Sequence, residues 1–236
     1  MGNSKLDLLF SNPSEFLRRG IDRVRDQVLI LVSPSARRHA EVGPAFGWKA
    51  TRDVQLEYLK GKLMRPEHSL LDLGCGTLRG GVPIIRYLQD GHYVGIEARA
   101  EVLKTAEQEL QDEKLEHKKA ELIHSADLST VEAGRKFDFI WAHSVLIHMT
   151  DEILEDCLTC VAAHLDRSGG FYANVNLGDT ADNTWKEFPI VFRAFQFYSE
   201  AAARHGLSCE EIGPWRSGEH AMLLFQLVSR SGNDMN

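Results

Sequence analysis

Ser69-Leu-Leu-Asp-Leu-Gly-Cys-Gly-Thr-Leu-Arg-Gly-Gly81 decides how the rest of the chain is read. Its first five residues form an apolar run that predicts a buried strand, Ser69–Leu73, and the run ends in Gly74 and Gly76. Glycines there let the backbone turn sharply and leave amide N–H groups facing a ligand with no side chain in the way. A helix predicted over Arg79–Gln89 adds the anion-favouring N-terminus of a helix to the same place. Taken alone, such a loop reads either as a nucleotide loop or as a tight turn. The spacing Gly74, Gly76, Gly80 is one residue longer than the dinucleotide fingerprint, and the Gly-Lys-Ser/Thr of a P-loop does not follow.

Outward from this stretch, short apolar segments alternate with helical patterns, the alternation that builds a parallel sheet with helices on both faces. Further strands are predicted at Tyr93–Glu97, Ala120–His124, Phe137–Ala142 and Phe171–Asn176, with helices at Arg99–Gln111 and Asp151–Leu165 between them. A helix near Ile190–His205 precedes Ser208–Ile212, a Gly/Pro-rich turn and Ala221–Val228, and two strands so joined are antiparallel. Upstream, Leu17, Ile21, Val24, Val28 and Leu31 recur at helical spacing, with Arg18, Arg19, Arg23 and Arg25 on the opposite face. A second helical pattern runs from Thr51 to Leu63 and stops at Pro66. The expected organisation is an N-terminal helical extension or lid over 1–65 and an α/β domain over 66–236. Through residue 40 the extension carries seven Lys+Arg against four Asp+Glu, a solvated helix face or a surface for anions or membrane.

Over the full 236 residues, 27 Lys+Arg against 34 Asp+Glu leave a formal charge of −7, with 43% hydrophobic and 26% charged residues. That balance is that of a globular chain with a full core, and it excludes disordered, collagenous and disulfide-stapled classes. It also disfavours a nucleic-acid partner, which needs clustered Lys and Arg to displace counterions. Cys75, Cys157, Cys160 and Cys209 read as reduced thiols of a cytoplasmic protein, and Cys157 and Cys160 as helix packing rather than half of a metal site; no metal is expected. No uninterrupted apolar run exceeds the five residues of Val28 to Val32, so no integral membrane segment is expected. Met-Gly-Asn-Ser-Lys-Leu-Asp carries acid where a signal peptide would be apolar, so none is expected, and Leu6 stands where a myristoylation pattern wants Ser or Thr.

Glu97 closes the second predicted strand, where an acid roughly 20 residues beyond the glycine loop accepts hydrogen bonds from both ribose hydroxyls. Asp127 and Leu128 close the third; a carboxylate beside an apolar side chain suits an adenine amine and ring, and Asp127 alone reads equally as a turn cap. Together these residues resemble the class I S-adenosylmethionine-dependent methyltransferase family over about Val42 to Ser229. Leu-Asp-Leu-Gly-Cys-Gly is similar to that family's first motif, and Phe137-Asp-Phe-Ile-Trp-Ala-His-Ser144 to its fourth strand. Leu165-Asp-Arg-Ser-Gly-Gly-Phe171 resembles the leader into its fifth, with Asp166 and Ser168 where Lys and Pro are usual. Leu-Arg-Gly-Gly after the first motif, with Gly47-Trp48 and Gln55 upstream, looks like a small-molecule branch.

The resemblance implies a doubly wound, Rossmann-like seven-stranded sheet whose last strand is inserted antiparallel. It implies S-adenosylmethionine as cofactor, held by Asp72, Gly74, Cys75, Gly76, Glu97, Ala98, Asp127, Leu128 and His143, and methyl transfer to an oxygen or nitrogen of a small molecule. In-line positioning carries such a reaction, and a general base is optional. His148 is the candidate base, because histidine accepts a proton near neutral pH; the bland reading leaves it satisfying backbone groups at a helix start. On the acceptor side stand Trp48, Arg79, Ser144 and Trp185, with Arg52 and Gln55 on the lid and Phe188 beside Trp185 as a further wall. Arg79 either pairs an acidic substrate or caps the loop. The rival readings are a scaffold or sensor that binds the cofactor without turnover, and a nicotinamide enzyme, against which the long glycine spacing and the lack of a Tyr-x-x-x-Lys pair both count.

Overall fold

The computed structural model describes residues 48–229 apart from 186, 187, 217 and 219, together with Ala40; the helix expected over residues 14 to 32 lies outside the described residues. The elements are α1 (Trp48–Gly61), β1 (Leu70–Leu73), α2 (Gly81–Tyr87), β2 (Tyr93–Glu97), α3 (Ala100–Asp112), β3 (Glu121–His124), β4 (Phe137–Ala142), α4 (Asp151–His164), β5 (Leu165–Val175), β6 (Asn183–Trp185), β7 (Phe188–Ile190), α5 (Phe195–Arg204), β8 (Leu207–Trp215) and β9 (His220–Leu227). Short 3-10 turns at Leu128–Thr130 and Leu146–His148 follow β3 and β4.

Seven strands form one sheet in the order β3-β2-β1-β4-β5-β9-β8. The first five are parallel, and β9 runs antiparallel to both β5 and β8. The inserted last strand expected from the sequence is thus present. Every residue of β1 and β2 is buried, because helices cover both faces, whereas edge strand β3 is exposed at both ends. One core lies between the sheet and α4 and α5, built on Phe137, Phe171, Phe225 and Tyr198. The other lies under α1, α2 and α3 around Leu59, Leu70, Tyr93 and Trp141. Cys157 and Cys160 are free thiols packed on the buried side of α4.

α1 is tied to this second layer by polar contacts. Arg52 donates to Glu109 at 3.1 Å and to Glu113 at 2.8 Å on α3, and Arg86 of α2 pairs with the same Glu113. Although burial pushes the Glu113 carboxyl up, the hydrogen bonds from Arg52 and Arg86 hold it below its ordinary range.

Several boundaries differ from the sequence expectations; β8 continues past Ile212 through Gly213 and Pro214, which the sequence places in the turn, to Trp215, held by its pairing with β9. The helix expected from Ile190 begins at Phe195, because Pro189 has no N–H to give and Phe188-Pro-Ile-Val favours extended backbone, so β6 and β7 form a separate hairpin. β5 begins directly after α4, but Asp166 folds a turn by accepting from Ser168 N and Oγ at 2.9 and 2.8 Å. The register then jumps from Phe137↔Leu165 to Phe139↔Gly170, and Gly169 passes so close to the β4 backbone that a Cβ would stand 2.7 Å from the Asp138 carbonyl. α2 starts at Gly81 rather than Arg79, after Leu78 takes a φ of +61°. Among the described residues no helix is long and apolar enough to cross a membrane.

Candidate functional site

The strand order reverses between β1 and β4, and in open parallel sheets ligands bind beyond the C-terminal ends of the strands at that switch point. The loops after β1, β2, β3 and β4 carry most of the residues singled out in the sequence. After β1 the chain turns through Gly74 at φ +69° and Gly76 at φ +57°, conformations that cost glycine nothing. A Cβ on Gly74 would also stand 2.6 Å from a methyl of Val145, so the loop lies directly against the segment after β4.

Glu97, buried at the end of β2, fastens this loop. One carboxylate oxygen accepts Gly76 N–H at 3.1 Å; the other accepts the Arg99 backbone N–H at 3.2 Å and its Nε at 3.0 Å. Beneath it, Asp72 accepts from the Tyr93 hydroxyl at 2.6 Å. Burial pushes the Asp72 carboxyl up to about 7 against the pull of that hydrogen bond, and the Glu97 charge pushes the same way. Burial, with the neighbouring Asp72 and Glu97, also raises the Cys75 thiol well above its ordinary range, so it is a packed thiol rather than a nucleophile. Gly95 makes room for it, since a Cβ there would meet Cys75 Sγ at 2.9 Å.

After β2, the Ala98 carbonyl lies 3.0 Å from His124 Nε2. After β3, exposed Asp127 caps the turn at Leu128–Thr130, accepting Ser129 N–H at 3.0 Å and Ser129 Oγ at 2.6 Å through one oxygen. The capping alternative is therefore realised, while Leu128 packs against the core.

After β4, half-buried His143 lies 5.9 Å from the Trp141 ring, nearly parallel to it, and 4.7 Å from the Trp215 ring. Burial pushes it down to about 3, and the charges of Arg79, His220 and Arg216 add to the effect; the ring is neutral at physiological pH. Ser144 takes a φ of +58° and donates its N–H to Asn174 Oδ1 at 2.6 Å. Asn174 is fully buried, and its Nδ2 has no hydrogen-bond partner among the described residues. His148 ends the 3-10 turn with Nδ1 2.7 Å from the Pro189 carbonyl, so in the neutral ring that nitrogen carries the proton and Nε2 is the acceptor. Phe188 stands 5.8 Å from His148 and lies under the Arg99 guanidinium at 5.2 Å. The β6–β7 hairpin thereby links His148 to Arg99 and Glu97.

The lid residues divide. Gln55 is buried, takes the Trp141 indole N–H at 2.8 Å and presses on Gly80, where a Cβ would stand 2.1 Å from Oε1; Arg52 serves α3 instead. Trp48 opens α1 and Trp185 closes β6. Sequence reading missed Arg99, Asn174, Asn176, Trp215, Arg216 and His220. Trp215 and His220 face each other across the β8–β9 pair, and His220 Nδ1 donates to Asn176 Oδ1 at 2.7 Å. The signal for these was the Gly/Pro-rich turn, whose position at the catalytic end follows once β8 is seen to run parallel to β5.

Residues 71–171 match a family model described as a methyltransferase domain. No curated protein matches the chain by sequence. Among solved structures, an S-adenosylmethionine-dependent methyltransferase from Clostridium acetobutylicum superposes with a TM-score of 0.60 at 15% identity, over 77% of this chain and 92% of that one. DesVI from Streptomyces venezuelae gives 0.62 at 21% identity over 80% and 98%. The magnesium protoporphyrin IX methyltransferase from Synechocystis, solved with bound S-adenosylmethionine, gives 0.58 at 17% identity over 83% and 85%. The glycine loop, Glu97 and the β4 exit all lie inside the segment that matches the methyltransferase-domain model, and the sheet is the fold these methyltransferase structures share.

Proposed function

We propose that the protein transfers a methyl group from S-adenosylmethionine to an oxygen or nitrogen of a small-molecule acceptor. The observation that carries this reading is the Glu97 carboxylate fastened to Gly76 N–H at the switch point of the sheet. The residues present fit the cofactor. Asp72 and Glu97 bring two buried carboxylates together, burial and the Glu97 charge raising the cost of ionising Asp72, and a cationic ligand relieves that cost. Gly74 and Gly76 leave the loop backbone open beside them.

In this reading Glu97 accepts the ribose hydroxyls, Asp127 and Leu128 meet the adenine, and Asp72, Gly74, Cys75, Gly76, Ala98 and His143 shape the remainder of the cofactor site. The chemistry that S-adenosylmethionine supplies is an electrophilic methyl group on a positively charged sulfur. Trp48, Arg79, Ser144 and Trp185 are the residues assigned to the acceptor. Catalysis then rests on positioning in a water-excluding pocket, worth up to roughly 7–11 kcal/mol in favourable systems. His148 takes the acceptor's proton at Nε2, while Pro189 fixes the tautomer through Nδ1. His143, neutral and stacked, supports the pocket wall rather than moving protons.

Calorimetric titration with S-adenosylmethionine and S-adenosylhomocysteine, followed by an acceptor screen with a labelled methyl group, tests the reading. Binding of either ligand with label transfer to a small molecule supports it; a folded protein that binds neither refutes it.

A further inference from the structure

Positive charge gathers at the acceptor end of an otherwise acidic chain of net charge −7. Its carriers come from three separate segments. Arg79 stands in the loop between Gly76 and Gly80, and Gly80 lies against Gln55, whose Oε1 holds the indole of Trp141. Arg216, exposed and at φ +45°, follows Trp215, whose ring is 4.7 Å from His143. His220 opens β9 opposite Trp215 and is oriented by Asn176, whose Nδ2 in turn donates to the Val191 carbonyl at 3.1 Å. The geometry gathers them near His143: Arg216 adjoins Trp215 and His220 pairs with it across the strands, the Trp215 ring lies 4.7 Å from His143, and Arg79 adjoins Gly80, which lies against the Gln55 that holds Trp141 beneath His143. The wall of that spot is aromatic: His143, stacked on the fully buried Trp141, and Trp215 inclined to it at 58°.

We propose that the methyl acceptor is a flat organic anion whose carboxylate or phosphate is held by Arg79, Arg216 and His220 beside the His143–Trp215 wall. This rests on the methyl-transfer reading and deepens it by naming the substrate class. Guanidinium groups match carboxylate and phosphate oxygens with paired, charge-assisted hydrogen bonds, and an aromatic wall suits a planar body. Asn174 Nδ2, buried two positions before Asn176 on β5, is a further donor at this end of the sheet.

The test uses the full chain saturated with S-adenosylhomocysteine, whose own binding is measured first; failure at that step overturns the methyl-transfer reading and not the charge preference. The loaded protein is then titrated with 4-hydroxybenzoate, 4-hydroxyphenyl phosphate and neutral 4-hydroxybenzamide, read by the indole N–H resonance of Trp215. The anions are expected to bind about tenfold or more tightly than the amide, with the advantage falling as salt is raised. The stronger of the two anions identifies the group as carboxylate or phosphate. Arg216→Gln, at an exposed turn, removes most of the advantage while leaving S-adenosylhomocysteine affinity unchanged, and Arg79→Gln does the same to the anions. Equal binding of amide and anions, no response to either anion at tens of millimolar, or an undiminished preference in Arg216→Gln overturns the proposal.

Discussion

Replacing Glu97 with Gln exchanges one carboxylate oxygen for an NH2 group and separates two jobs. The carboxylate accepts three donors, Gly76 N–H at 3.1 Å and the Arg99 N–H and Nε at 3.2 and 3.0 Å. An amide has one accepting oxygen and one NH2 group. Turned toward Gly76, its oxygen leaves the NH2 facing two Arg99 donors; turned toward Arg99, the NH2 faces Gly76 N–H. Either way at least one buried donor is opposed, which costs about 1–3 kcal/mol, and for a chain of this size each 1 kcal/mol lowers Tm by roughly 2–4 °C. The ribose hydroxyls also lose a charged acceptor, worth about 1.5–3 kcal/mol per bond, so S-adenosylhomocysteine affinity falls about tenfold or more. Arg99→Leu is the control, since it removes one donor and keeps the carboxylate; its effect on affinity is expected to be small. Urea unfolding and calorimetry read the two quantities separately. A folded Glu97→Gln protein with unchanged affinity refutes the ribose assignment.

Four further outcomes are expected. Asp72 rises in the fold from 3.8 to about 7, so its penalty appears as pH climbs from the unfolded value and is complete above the folded one, at most about 4 kcal/mol. Asp72→Asn removes that slope, and its stability relative to wild type in urea unfolding should grow between about pH 4 and 7; a pH-independent difference contradicts the assignment. His143 contributes the opposite trend, because its neutral state is favoured and stability is lost as pH falls from 6.5 toward about 3. Gly80→Ala drives a Cβ into Gln55 Oε1 and off the Trp141 indole, costing about 1–3 kcal/mol; thermal melts check this, and an unshifted Tm shows that Gln55 yields freely. His148→Ala should lower turnover far more than cofactor affinity, and equal activity across neutral pH makes its bond to Pro189 purely structural.

Much of this architecture was legible along the chain because it is local. The run of apolar residues into Gly74 and Gly76, the acid at the end of the next strand, and the helical periodicity of α3 and α4 each depend on neighbours a few positions away. What escaped depends on pairings across the sheet. Arg99 is ordinary in sequence and acquires its place only by folding back on Glu97. Gln55 and Trp141 are separated by 86 positions, and Ser144 and Asn174 by 30. The β6–β7 hairpin is not legible in the sequence because two three-residue strands carry too little periodicity to register.

Because β9 enters the sheet between β5 and β8 from the C-terminal end of the parallel strands, β8 and β9 meet at that end while both are anchored in the core, β8 through Leu207 and Trp215 and β9 through Met222, Leu223 and Phe225. The glycine loop and Glu97 sit on strands β1 and β2, on the far side of β4. In the proposed reading the turn joining β8 to β9 is a replaceable cassette: its length and charge can drift or be redesigned to change what is methylated, while the glycine loop and Glu97 stand beyond two intervening strands.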